Sequence, residues 1–161
     1  MAEPGNIETK ETLDASIVVL RRGENGVELG EYKKDITQMH VDIFPDDLSL
    51  DEAERVVEER ARTYEEAVVL AINKEEVIGF GTIWKVQKNG DMYLTTAYVK
   101  PSYRQKGVYT QLLDKRIEIA KDCGATTVSI ESIKSNPVQE TYFSKYGFEK
   151  TDEYTFKKSM D

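Results

Sequence analysis

Apolar residues change spacing along the chain, and each change marks an element. Ile17 to Leu20 is a short β-branched run, predicting a first strand. Gly23-Glu24-Asn25-Gly26 signals a turn, and Val27 to Leu29 continues the sheet. From Glu31 to Phe44, Tyr32, Ile36, Met39, His40 and Ile43 recur at helical spacing. Pro45 ends that helix. Ser49 with Glu52 three residues on forms a capping-box signature, opening a second helix that runs to about Thr63.

The period then shortens. Ala67 to Ile72 is continuously apolar, which suits a strand covered on both faces. Val77 to Val86 and Met92 to Val99 follow as strands, joined through Asn89-Gly90, a strong hairpin signal. The three predict an antiparallel meander. Val108 to Cys123 is a helix with Val108, Leu112, Leu113, Ile117 and Ala120 on its buried stripe, and Gly124 is placed to end it. Thr126 to Ile133 reads as a strand, giving a right-handed parallel crossover. Asn136 caps a helix opened by Pro137 and running to about Tyr146. Glu149 to Lys158 is a last strand, interrupted at Asp152-Glu153. The expected organisation is a flexible tail over 1–14 and one domain over 15–161.

The chain has 161 residues and a net charge of −8. Ten acidic residues lie between Asp42 and Glu66, against three arginines. An acidic surface repels a phosphate backbone, so a nucleic-acid partner is not expected. With one cysteine no internal disulfide forms, and with one histidine no zinc site is expected. No run of ~18 apolar residues suggests a membrane span, and no apolar signal core lies near the N-terminus. Together these fit a cytoplasmic protein. His40 reads as a surface or half-buried helix residue, Cys123 as a packed small hydrophobe, and Trp84 as core or substrate stacking.

The chemistry concentrates where a strand gives way to a helix. Between Tyr98 and Thr110 the chain leaves a strand, turns through a glycine-containing loop and starts a helix. The free N–H groups of a first helical turn, with the helix dipole behind them, form a site for phosphate or pyrophosphate. Arg104 and Lys106 add countercharge, and Gly107 admits close approach of a ligand. The Gly-Lys-Ser/Thr ending of a Walker loop and the further glycines of a dinucleotide fingerprint are both missing.

Arg104-Gln105-Lys106-Gly107-Val108-Tyr109 resembles the Arg/Gln-x-x-Gly-x-Gly/Ala motif of the GNAT superfamily of acetyl-CoA-dependent N-acyltransferases. Glu131 to Asn136 followed by Tyr142 to Phe148 resembles that family's strand, Asn-capped helix and terminal Gly-Phe. The resemblance spans roughly Ala67 to Phe156. It implies an α/β (α+β) GNAT-like fold, a mixed, mainly antiparallel twisted sheet with helices on both faces. It also implies direct transfer of an acetyl group from acetyl-CoA to a small-molecule, peptide or protein amine, without a metal. The backbone at Tyr98 and Val99 would pair with the pantetheine arm, and the Val99 N–H would polarise the thioester carbonyl. Gln105, Lys106, Gly107, Val108, Tyr109 and Thr110 would hold the pyrophosphate, and Asn136 with the helix bearing Phe143 would line the other side of the arm. A homodimer is expected by analogy alone.

Two positions depart from the family pattern. Tyr109 replaces the last small residue of the loop motif. Phe143 occupies the position, seven after Asn136, where the family often has an acidic tyrosine. Tyr142, Tyr146 or water would substitute. Glu131 matches a glutamate that one branch uses as base, though strand alternation also allows it to face solvent. Asp46 and Asp47, at the join between the first two helices, are candidates for attracting a cationic acceptor, and Trp84 for contacting it. The alternatives are a catalytically weak acyl-CoA sensor or interaction module, and an unrelated α/β domain binding another phosphate ligand.

Overall fold

The computed structural model describes residues 12–131 and 137–160. Strands β1 (Ser16–Gly23) and β2 (Gly26–Val27) precede helices α1 (Lys33–Ile43) and α2 (Leu50–Thr63). The meander β3 (Glu65–Asn73), β4 (Glu76–Trp84) and β5 (Asp91–Val99) follows. Then come α3 (Val108–Asp122), β6 (Thr127–Glu131), α4 (Pro137–Lys145), β7 (Glu149–Lys150) and β8 (Thr155–Ser159). The strands form one sheet in the order β2-β1-β3-β4-β5-β6-β8-β7, in which only β5 and β6 run parallel.

Helices cover both faces, because the central strands send apolar side chains both ways. In β3, Ala67, Val69 and Ala71 enter a core with α3 and the aromatic cluster Phe143, Phe148 and Phe156. Val68 and Leu70 enter a second core with Ile36, Met39, Val57 and Phe80. The capping box at α2 forms: Ser49 Oγ accepts from the Glu52 N–H at 3.1 Å, and Glu52 Oε1 accepts from the Ser49 N–H at 2.9 Å. The final strand is interrupted where Asp152-Glu153 suggested. Among the described residues, no helix is long and apolar enough to cross a membrane.

Several expectations are corrected. His40 is 3% exposed, neither superficial nor half-buried. It lies one turn after Ile36, so the apolar stripe of α1 carries it inward, where its ring stacks on Phe80 at 5.1 Å. Burial holds its pKa below the usual value. Ser129, two residues before Glu131 on the same strand face, is nonetheless fully buried and donates to Asp91 at 2.8 Å. The sheet is covered on both sides there, so alternation no longer separates inside from outside. β4 ends at Trp84, and Val86 is exposed. Leu13, assigned to the tail, is tied to the body by its N–H bond to the Lys106 carbonyl at 2.9 Å.

Two irregularities prepare the site. The β4–β5 register jumps between Gly81↔Ala97 and Ile83↔Leu94, so β5 carries an extra residue at Thr95–Thr96. Arg116 of α3, 1% exposed, braces this bulge by donating to the Thr82 and Thr95 carbonyls at 3.3 and 3.4 Å. Further on, parallel pairing of β5 with β6 stops at Leu94↔Ile130, although β5 continues to Val99. Beyond the bulge no described residue pairs with this edge of β5, which leaves a wedge among the described residues.

Candidate active site

One wall of the wedge is the unpaired edge of β5. The Lys100 N–H bonds the Ile78 carbonyl at 2.8 Å, which makes that pair and Phe80↔Tyr98 the hydrogen-bonded ones of the antiparallel ladder. The backbone groups of Ala97 and Val99 therefore point away from β4, into the wedge. Tyr98 directs its own toward β4, so Val99 and Ala97 present the open donors, not Tyr98. Ala97 had no sequence signal, because ladder phase depends on the bulge. The Val99 carbonyl is taken by Arg104 Nε at 2.7 Å, which leaves its N–H to the opening.

The loop after β5 completes an anion site. Gln105 and Gly107 both adopt left-handed backbone conformations, with φ of 61° and 84°. This twist turns the chain sharply into α3. The first bond of that helix runs from the Gln111 N–H to the Gly107 carbonyl, so Val108, Tyr109 and Thr110 keep free N–H groups, and no side chain caps them. A cavity of about 220 Å³ lies here, bounded by Val99, Arg104, Gly107, Tyr109, Thr110 and Tyr142. Arg104 is committed to the loop itself, bonding Val99 and lying over the Tyr98 ring at 5.2 Å. Lys106 is half-buried, and Gln105 is exposed.

On the other side of the wedge lies a larger cavity of about 850 Å³. Phe44, Arg60, Trp84, Tyr93, Thr96 and Glu131 line it, contributed by four separate elements and a loop. Tyr109 and Tyr142 line both cavities and form the wall between them, their rings 5.8 Å apart and edge-on.

Tyr142 reaches that wall rather than Phe143. The phase of α4 buries Phe143 at 2% exposure against Phe148 and Phe156, although its edge still borders the larger cavity. Tyr142 is half-buried, and its hydroxyl lies 2.7 Å from Thr110 Oγ1. Burial raises its pKa above the ordinary tyrosine value, so it stays protonated across the neutral range. Tyr146 packs against Tyr142, their rings tilted with centroids 5.2 Å apart, and borders neither cavity. Glu131 is exposed at the cavity edge, where it is the single carboxylate among the described lining residues. Trp84 stacks on Tyr64 at 5.1 Å and edge-on against Tyr93. Asp46 and Asp47 are exposed after α1 and outside the lining, while their neighbours Ile43 and Phe44 belong to it. Asn136 lies outside the described residues.

Sequence reasoning missed three charged residues here. Arg60 lines the larger cavity and donates to Thr96 Oγ1 at 2.8 Å. Glu65, opposite Trp84 in the β3–β4 ladder, is 3% exposed, and burial pushes its pKa up to about 7 against the opposing pull of Arg60. Arg116 sits beneath the Tyr109 ring, its guanidinium carbon 5.9 Å from the centroid. In the sequence all three look like ordinary charges on a helix or strand.

The acetyltransferase (GNAT) family matches residues 33–148. Among solved structures, a GNAT-family acetyltransferase from Staphylococcus aureus Mu50 is 17% identical, with a TM-score of 0.65 over 91% of this chain and 100% of that one. An aminoglycoside 6′-N-acetyltransferase complexed with coenzyme A is 13% identical, with a TM-score of 0.72 over 89% and 97%. A GNAT-family acetyltransferase from Brucella melitensis in complex with acetyl-CoA is 16% identical, with a TM-score of 0.66 over 92% and 90%. No match was found among curated proteins.

Proposed function

Because the chain belongs to the acetyltransferase (GNAT) family, we propose that it transfers an acetyl group from acetyl-CoA directly to an amine, within one ternary complex. The observation that carries this reading is the pair of cavities meeting at Tyr109 and Tyr142. One holds free main-chain donors suited to a diphosphate, and the other an aromatic chamber of a size usual for small-molecule sites.

The donor side fits the carrier in two respects. Uncapped N–H groups at the start of α3 match a diphosphate, and the unpaired edge of β5 matches an extended arm of amides. Gly107, Val108, Tyr109 and Thr110 would hold the first, and Ala97 and Val99 the second. When bound, acetyl-CoA supplies an acetyl group activated as a thioester.

The protein's own groups then divide the proton traffic. Glu131 accepts the proton that the amine gives up as its nitrogen bonds to the acetyl carbon. Tyr142 returns a proton to the departing sulfur, with Thr110 holding its hydroxyl in place. The Val99 N–H stabilises charge on the acetyl oxygen. Asp46 and Asp47 take no direct part in this reading.

The test is thiol release from acetyl-CoA over a panel of amines, with the acetylated product identified by mass. Tight acetyl-CoA binding with no acetylated product from any amine would return the protein to the class of sensors.

A further inference from the structure

The larger cavity contains two unlike charges and an aromatic wall, and its hydrogen-bond donors are incompletely used. Arg60 makes one hydrogen bond, to the neutral Thr96 hydroxyl. Among the described residues no carboxylate lies within 4.0 Å of it, the ion pairs being made by other cations. The nearby acid Glu65 stays partly protonated near neutral pH and leaves the guanidinium charge incompletely balanced. Arg60 thus lacks an anionic partner within the chamber. Glu131 provides the opposite charge elsewhere on the lining, and Phe44, Trp84 and Tyr93 provide aromatic surface.

We propose, resting on the acetyl-transfer reading above, that the acceptor is an aromatic α-amino acid. Its carboxylate pairs with Arg60, its ring lies on the aromatic wall, and its amine faces Glu131. A polyamine fits less well, because it would bring a second cation to Arg60. Arginine is suited to a carboxylate through its fork of donors, and the cavity retains that fork on a braced strand bulge.

Calorimetry on the protein saturated with CoA reads the site without requiring turnover. Phenylalanine, phenethylamine, alanine and spermidine are the probes. Phenylalanine is expected to bind at least about tenfold more tightly than phenethylamine, which lacks the carboxylate, and than alanine, which lacks the ring. Arg60→Met should weaken phenylalanine by about 10- to 100-fold and leave phenethylamine within about twofold, with Arg60→Lys intermediate. The ligand comparison on the unmodified protein stands even where a variant folds poorly. Equal or tighter binding of phenethylamine or spermidine overturns the proposal, as does an equal effect of Arg60→Met on both aromatic probes. Acetylation of other amines without phenylalanine binding also overturns it, while the transfer reading survives. The expected binding pattern without N-acetylphenylalanine in the mass spectrum overturns the transfer reading, and with it phenylalanine's standing as acceptor.

Discussion

The Tyr142 hydroxyl lies 2.7 Å from Thr110 Oγ1, which clamps α4 to the first turn of α3 at the boundary of the two cavities. The bond ties the proposed proton donor to the same turn whose N–H groups face the anion site. Tyr142→Phe keeps the ring and removes the proton. We expect kcat to fall about 10²-fold, the lower end for positioned acid catalysis, with little change in the KM for acetyl-CoA. Tyr146→Phe should change either constant by less than about twofold, because Tyr146 borders neither cavity. Steady-state kinetics on both variants separates the two tyrosines.

Glu131→Gln removes the single carboxylate among the described lining residues of the larger cavity while keeping its shape. A loss of about 10²-fold in kcat, with acetyl-CoA affinity intact by calorimetry, is expected of a proton acceptor. Activity within about twofold of the parent would reduce Glu131 to an exposed strand residue.

Glu65 makes stability fall as pH rises. Its folded pKa is about 7 against an ordinary 4.5, so between these values the folded state holds a proton that the unfolded state has released. Stability is therefore lost progressively from pH 4.5 to about 7, by about 3 kcal/mol at 1.36 kcal/mol per pKa unit, and is level above. Glu65→Gln should remove this slope and stabilise the protein by about 2–3 kcal/mol at pH 8, with little effect at pH 4.5. Urea unfolding at both pH values tests it.

A side chain at Gly81 would meet the brace of the bulge, since an added Cβ would lie 2.8 Å from Arg116 Nε. Gly81→Ala should cost about 1–3 kcal/mol through overpacking. Because Arg116 holds the Thr95 carbonyl, acceptor KM should rise as well. Thermal unfolding and kinetics together distinguish this from simple loss of folded protein.

Asp46 and Asp47 are exposed and border no part of the acceptor chamber. The paired change to Asn should therefore alter acceptor KM by less than about twofold at physiological salt, as expected for screened surface charge.

Features legible in the sequence were those that local chemistry decides. The Ser49–Glu52 box, the Asn89-Gly90 turn and the glycine loop ahead of α3 depend on neighbours a few residues apart. The parallel crossover from β5 through α3 to β6 follows from the order of elements and the handedness of the chain. Of the larger cavity's lining, Trp84 and Glu131 were candidates from the sequence, but Arg60 and Tyr93 were not, because these residues come from different elements and no spacing links them. Phe143 was assigned by counting from Asn136, yet the packing of α4 on β8 through Phe156 turns Tyr142 to the junction instead. Burial of Asp91 was hidden for a similar reason: its carboxylate is satisfied by Thr127 and Ser129 at 2.7 and 2.8 Å, partners 36 and 38 residues away.

The early end of β5–β6 pairing has a mechanical consequence. Among the described residues only four pairs, Asp91↔Thr127 to Leu94↔Ile130, join β6 and β8 to the rest of the sheet. A guest stretched along the vacant edge would act as a splint across this short seam, coupling the two parts of the molecule. Amide hydrogens of β6 and β8, remote from the diphosphate end, should then exchange more slowly once the guest is seated.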